Sequence, residues 1–457
     1  MEHHNVSLET LQSDLDQLVT TITKFSTIIQ SHLNDFIITE VWSNTQDARE
    51  ELSKQFDDEN FDNTMPCCYY YGSGKHFEKK MDLHASHPTK LDAHLPINAQ
   101  RKCHRHCKKR DTAAQTNINE KNLNSFLTVK KEHEVSCLSK LLNDIADESL
   151  CRKIVDFGSG KGYLGQHMTS HNNCDVLGIE MKFGCSSSAE NMKEKMKTAH
   201  RSVTYDRYKT ITHTVQASDP ASDDTESLVT LIKENLNSSE LVEERVDYIL
   251  TGLHACGDLT TSAIKTFVKE KDFRAICIVG CCYNLISEKG FPISEYGKKC
   301  GLNFGKSEKM LACQCPSRWL NTGQTLNKSL LYRAILQKIF KDLGFPDDEI
   351  NQIKLRKLGK KEISFRKYME TVRKRCPLLD QRLSIEDENT YFETYQGIWE
   401  QMKEFHWIRM QLAPFLERII ILDRVAFLLE KEFTDVAAIR VFDQVTSPRC
   451  YAIFCSH

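Results

Sequence analysis

Three glycines at alternate positions, Gly158, Gly160 and Gly162, follow directly on the apolar run Ile154, Val155, Asp156, Phe157. That order predicts a strand ending in a tight turn that opens a helix, because glycine enters left-handed backbone without strain. The flanking sequence keeps the same rhythm. Val135, Leu138, Leu141, Leu142 and Ile145 share one helix face ahead of the loop, and "CDVLGIE", "TITHTVQASD", "RVDYILTGLHACGD" and "RAICIVGCC" read as further strands separated by helical stretches. Alternating strands and helices predict an α/β fold, a Rossmann-like parallel sheet with helices on both faces.

The remainder of the chain is read around that core. Leu8, Leu11, Leu15, Leu18, Phe25, Ile28, Ile29 and Leu33 predict a helical start. Residues from about 57 to 120 carry no sustained period and read as irregular, so 1–120 is taken as an N-terminal extension and 121–300 as the core. Helical spacing dominates 301–430, an expected insertion, and 431–457 reads as a β-hairpin around Ser447-Pro448 that completes the core sheet. A length of 457 residues with 40% apolar and 27% charged residues fits an ordinary globular protein. No run is apolar enough for a membrane span. The start, "MEHHNVSLETLQSDLDQ", lacks the pattern of a secretory signal, so the 18 cysteines are expected as thiols in the cytoplasm or nucleus.

The glycine loop discriminates among ligands. A phosphate-binding P-loop requires glycine where Val155 stands and Ser or Thr where Gly162 stands. The dinucleotide fingerprint requires glycine where Tyr163 stands. What remains is an acid, Asp156, before G-x-G-x-G, with a second acid, Glu180, closing the next strand. This suits a nucleoside with an amino-acid tail: one carboxylate for the ammonium group, the other for the ribose hydroxyls. The second Gly-Ser-Gly-Lys, in "YYYGSGKH", has no aliphatic strand or acid before it and reads as a turn.

The acid–glycine–acid segment resembles the class I S-adenosylmethionine-dependent methyltransferases. The ordered motifs "KKEHEV", "VDFGSGKGYL", "GIE", "GLHACGDLT", "GCCYNLIS", "LACQ", "FHWIRMQLAP", "ILDR" and "SPR" narrow the resemblance to the methyltransferase-like protein 25 family, also described as ribosomal-RNA-adenine-dimethylase domain-containing proteins. The resemblance implies S-adenosylmethionine as cofactor, held by Asp156, Phe157, Gly158, Ser159, Gly160, Gly162, Glu180 and Leu253. Asp219 is read either as the acid near the adenine amino group or as the start of an acidic loop.

Chemistry on the acceptor side falls to residues after the fourth and fifth strands. His254 is the candidate general base, since histidine ordinarily titrates near neutrality; hydrogen bonding without proton transfer is the competing reading. Asp258 is read as catalytic or as the N-cap of the following helix. Tyr283 and Asn284 are expected beside the donor. Lys131 and Glu134 either reach the cofactor's amino-acid end or are solvated helix charges. The Asn/Asp-Pro-Pro-aromatic motif of adenine-N methylating enzymes is replaced here by "GLHACGD", which speaks against adenine dimethylation. "His-Ala-Cys-Gly" with "Cys-Cys-Tyr" is similar to a group that includes 2′-O-methylating transfer-RNA enzymes. No metal site is expected, with two zinc readings as the alternatives. His254, Cys256, Cys281 and Cys282 could converge at adjacent strand ends, but they lack a CxxC pair and the cysteines read first as packing thiols. Cys67, Cys68, Cys103, His104, His106 and Cys107 are metal-competent, but "CHRHC" at 103–107 has an atypical zinc spacing. From Lys354 to Arg375, ten Lys/Arg against two Glu, with Phe365 and Tyr368 interleaved, point to RNA as partner and substrate. A protein substrate, or a non-catalytic scaffold of the same fold, is the alternative.

Overall fold

The computed structural model describes residues 8–57, 68–71, 127–199, 205–215, 224–236, 247–323, 325–346, 349–350, 353 and 363–457. Among them, eight strands form one sheet: β1 (Cys68–Tyr71), β2 (Lys153–Phe157), β3 (Asp175–Glu180), β4 (Tyr208–Thr212), β5 (Tyr248–Ala255), β6 (Phe273–Gly280), β7 (Asp435–Arg440) and β8 (Tyr451–Ser456). Their order is β1-β7-β8-β6-β5-β2-β3-β4. β2 to β6 pair in parallel. β8 is antiparallel to both of its neighbours, so β7 regains the direction of the core.

The predicted α/β sheet and its closing hairpin are therefore present. One expectation is corrected: the irregular segment contains β1, which pairs antiparallel with β7 from Cys68↔Ile439 to Tyr71↔Val436. Tyrosine favours strands, but a four-residue edge strand is too short to show a period in sequence.

β2, β3, β5 and β6 are buried along nearly their whole length, as in a sheet covered on both faces. The helices Tyr163–Asn172, Phe183–Ala199 and Leu259–Lys269 pack on β3, on β3 and β4, and on β5 and β6 respectively. The helix Val129–Glu148 packs against Tyr163–Asn172 and β5. Chain order turns outward through β2, β3 and β4 and then returns to β5 beside β2. That reversal opens a crevice at the carboxyl ends of β2 and β5, the usual ligand position in such sheets.

The chain forms two compact units, one of 1–18, 64–304 and 417–457, the other of 19–63 and 305–416. The second is helical. Its core includes the fully buried Ile335, Leu336 and Ile339 and the ring pair Phe365–Phe392, stacked at 4.8 Å. Among the described residues no helix is long and apolar enough to cross a membrane.

The segment after β6 is tied down by Asp423, on the helix Ala413–Glu430. Its carboxylate accepts from the backbone N–H of Ile293 at 2.8 Å, that of Ser294 at 3.1 Å and the Ser294 hydroxyl at 2.6 Å. Asp423 is fully buried, so losing the carboxylate strands three donors away from water. Asp423→Ala is expected to destabilise the protein by about 3 kcal/mol in urea unfolding. A loss below about 1 kcal/mol would show that water or a neighbour replaces it.

Candidate active site

The glycine loop is lashed to the neighbouring strand. The N–H groups of Gly158 and Ser159 both donate to the carbonyl of Ile179, at 2.8 and 3.3 Å. Gly162 lies at φ 71° just ahead of the helix Tyr163–Asn172, and a Cβ there would come within 2.3 Å of the Tyr208 hydroxyl. Gly160 is also left-handed, at φ 58°, but a Cβ added there meets nothing nearer than the Gly158 carbonyl at 3.9 Å. Its outer side is open, as a ligand cradle requires. Its N–H donates to Glu180 Oε2 at 3.0 Å, and the N–H of Lys182 donates to Glu180 Oε1 at 3.0 Å. The second acid therefore stands against the loop. Ser159 turns over Gly178, where a Cβ would lie 2.7 Å from its Oγ, so its side chain helps seat the loop on β3.

Asp156 is 2% exposed, and among the described residues its Oδ1 has no hydrogen-bond partner. Burial pushes its pKa up to about 7; the Glu180 charge adds to that rise and the Lys131 ammonium opposes it. A buried carboxylate with an unused oxygen fits a ligand ammonium group. Phe157, fully buried, anchors the strand beneath it, and Leu253 on β5 is also buried.

The structure corrects the reading of Glu134 as a solvated charge. It is 0% exposed, and four side chains meet its carboxylate, the Lys130 ammonium among them at 3.5 Å from Oε1. The His254 ring Nε2 lies 3.1 Å from its Oε2, the Ser447 hydroxyl 2.6 Å from its Oε1, and the Lys131 ammonium 2.9 Å from its Oε2. Burial alone would raise its pKa, but the bonds from His254 and Ser447, the His254 charge and the bond from Lys131 outweigh that and hold Glu134 well below the usual carboxylate range. It is therefore an acceptor only, so in a neutral His254 ring the N–H that meets it is on Nε2 and the lone pair is on Nδ1. His254 keeps 29% of its side chain exposed. The motifs "KKEHEV" and "SPR" both supply groups to this site, yet nothing in their separate positions announces that Ser447 meets Glu134.

Other candidates are placed differently. Asp258 sits at the start of the helix Leu259–Lys269, but its side chain makes no cap bond. Instead its Oδ1 accepts from the Ser287 N–H at 2.8 Å, holding the loop after β6. Tyr283 is buried rather than beside the cleft, and its hydroxyl donates to Glu417 at 3.0 Å, while Arg449 pairs with the same carboxylate at 3.0 Å. Asn284 is exposed. Asp219 and the "CHRHC" segment lie outside the described residues.

The cysteine reading also changes. Cys256 is exposed, so it is not a packing thiol, and its sulfur lies 3.0 Å from that of Cys281 and 3.4 Å from that of Cys282. The thiol of Cys256 is drawn down, chiefly by hydrogen bonding from Cys281; burial opposes this, while Cys282 and the His254 charge assist it.

The strand order, with one antiparallel strand inserted between the last two that share the core direction, and the acid–glycine–acid crevice together define a class I methyltransferase domain. A family model described as a methyltransferase domain matches residues 130–289. The chain is a homologue of the proteins called probable methyltransferase-like protein 25. It is 26% identical to the mouse protein over 72% of this chain and 75% of that protein, and 24% identical to the human protein over 72% and 74%. A solved S-adenosylmethionine-dependent methyltransferase from Clostridium acetobutylicum is 12% identical with a TM-score of 0.20, covering 40% of this chain and 60% of its own. At that score the likeness adds nothing to the strand order.

Asp156 generates a sign-definite expectation. The folded chain holds its proton up to about pH 7, against an ordinary 3.8, so this group's contribution to stability is lost as pH rises across that interval. Asp156→Asn escapes that loss. The stability of the variant relative to wild type should rise between pH 4 and pH 8 by on the order of 4 kcal/mol, read from urea unfolding at a series of pH values. A difference that does not change with pH would sink the assignment.

Proposed function

We propose that the chain methylates RNA at an oxygen or nitrogen that bears a proton, using S-adenosylmethionine as donor. The donor supplies an electrophilic methyl group on a sulfonium centre. Asp156 would take its ammonium group and Lys131 its carboxylate, with Glu180 on the ribose hydroxyls, Asp219 near the adenine and Leu253 as an apolar wall. The open side of Gly160 admits the ligand to the loop.

The observation that carries the reading is the Glu134–His254 pair at the carboxyl end of β5. Glu134 fixes the ring and stabilises an imidazolium, and Nδ1 is then available to take the acceptor's proton as the methyl group is received. Alignment of acceptor and donor supplies the rest of the rate. Glu134 is a positioning residue, as is Asp258 through Ser287.

RNA is favoured by exposed cations on and after the helix Phe365–Arg373: Arg366, Lys367, Lys374 and Arg375. Phe365 and Tyr368 are buried against Tyr332, so this face is one for phosphates and not for stacked bases. Residues 354–362 of the basic run lie outside the described residues.

Three measurements test the proposal. Calorimetric titration with S-adenosylmethionine should show affinity rising between pH 5.5 and pH 7.5 as Asp156 ionises, a slope that Asp156→Asn abolishes; no binding by the wild type ends the enzyme reading. His254→Gln should lower turnover about 10²- to 10⁴-fold while changing donor affinity little. Labelled methyl groups offered with fractionated RNA and protein from cells lacking this chain should enter RNA; label found only in protein overturns the acceptor class.

A further inference from the structure

We propose that Cys256, Cys281 and Cys282 form a Zn²⁺ site at the carboxyl edge of the sheet, beside the methyl-transfer crevice. Three unrelated local features bring them together. β5 and β6 are parallel neighbours whose last pair is Ala255↔Gly280, so Cys256 and Cys281 leave the sheet side by side. Gly257 then turns the chain at φ 55°, in a space where a Cβ would lie 2.8 Å from the Leu285 carbonyl. Cys282 follows Cys281 and leads into the buried Tyr283, which holds this turn down through Glu417.

The three sulfurs stand 3.0, 3.4 and 3.5 Å apart. A triangle with those sides has a circumradius of about 1.9 Å, so an ion at a Zn–S distance of about 2.3 Å caps it roughly 1.3 Å off the sulfur plane. Three sulfurs then lie on one side of the ion, and the other side is left for a fourth ligand. A modest opening of the triangle reaches tetrahedral geometry. Cys256 is exposed and its two partners are half-buried, so that fourth position faces water or an incoming group. Hydrogen bonding satisfies three clustered thiols only in part, because S–H is a weak donor and sulfur a weak acceptor. A divalent cation would let all three ionise, releasing their protons to solvent as it binds.

A Cys256–Cys281 disulfide is the competing chemistry. It would leave Cys282 without a role, whereas the metal uses all three sulfurs at once. This inference is independent of the acceptor proposed above.

Full-length protein, purified anaerobically with reductant and equilibrated with Zn²⁺, separates the two. Elemental mass spectrometry should find one zinc fewer per chain in C256S/C281S/C282S than in wild type, whatever other sites the chain carries. Cd²⁺ exchanged into the wild type should show thiolate charge-transfer absorption that this variant loses. Far-UV circular dichroism checks that the variant folds. If it does not, the single change C282S should weaken zinc at least 10-fold in competition with a chelating dye. Equal zinc in wild type and variant, unaltered affinity in C282S, or a Cys256–Cys281 disulfide recovered from the anaerobic preparation overturns the site.

Discussion

The register of β2 between β3 and β5 governs the candidate site. Asp156 pairs with Gly178 on one side and Thr251 on the other, so both flanking strands run on past it to Glu180 and to His254. The glycine loop inherits the same constraint through its two bonds to the Ile179 carbonyl. A shift of two residues in either pairing would separate the acids or carry the histidine out of reach. The close approach of Tyr208 to Gly162 and Gly165 adds to this, because no side chain could stand at either glycine without displacing the Tyr208 ring.

Two buried carboxylates that both feel Lys131 are treated in opposite ways. Glu134 is surrounded by donors and cations and stays ionised, whereas Asp156 has few polar partners and keeps its proton to near neutrality. The first is equipped to orient a base. The second is poised to gain a cationic partner, and its cost in the ligand-free protein is of the kind that binding sites commonly carry. The difference comes from the neighbours and not from the residue type, since an acid in a sequence carries no mark of either state.

Legibility followed the range of the interaction. The helix of residues 129–148, the strands and the glycine loop were readable because each depends on a period or a contiguous run. Asp156 and Glu180 were readable as a pair because one βαβ unit separates them. Phe365 and Tyr368 misled, since an aromatic interleaved with lysines looks the same whether it faces RNA or, as here, packs on Tyr332 in a helical core. Tyr283 misled similarly: its place after β6 was right, but a buried carboxylate and two arginines turned it inward.

By itself the sequence determined the class of sheet, the glycine loop and the two acids that flank it. These rest on backbone sterics and on spacings within one turn or one strand–helix–strand unit. Only the tertiary structure decided that Glu134 lies buried under His254 and Ser447, that Asp258 serves a loop, and that three cysteines share one corner. Those outcomes depend on which strands become neighbours. Hydrogen bonds and burial act over a few ångströms of space, and the chain brings residues 25, 120 and 313 positions apart to that distance only once the sheet has closed.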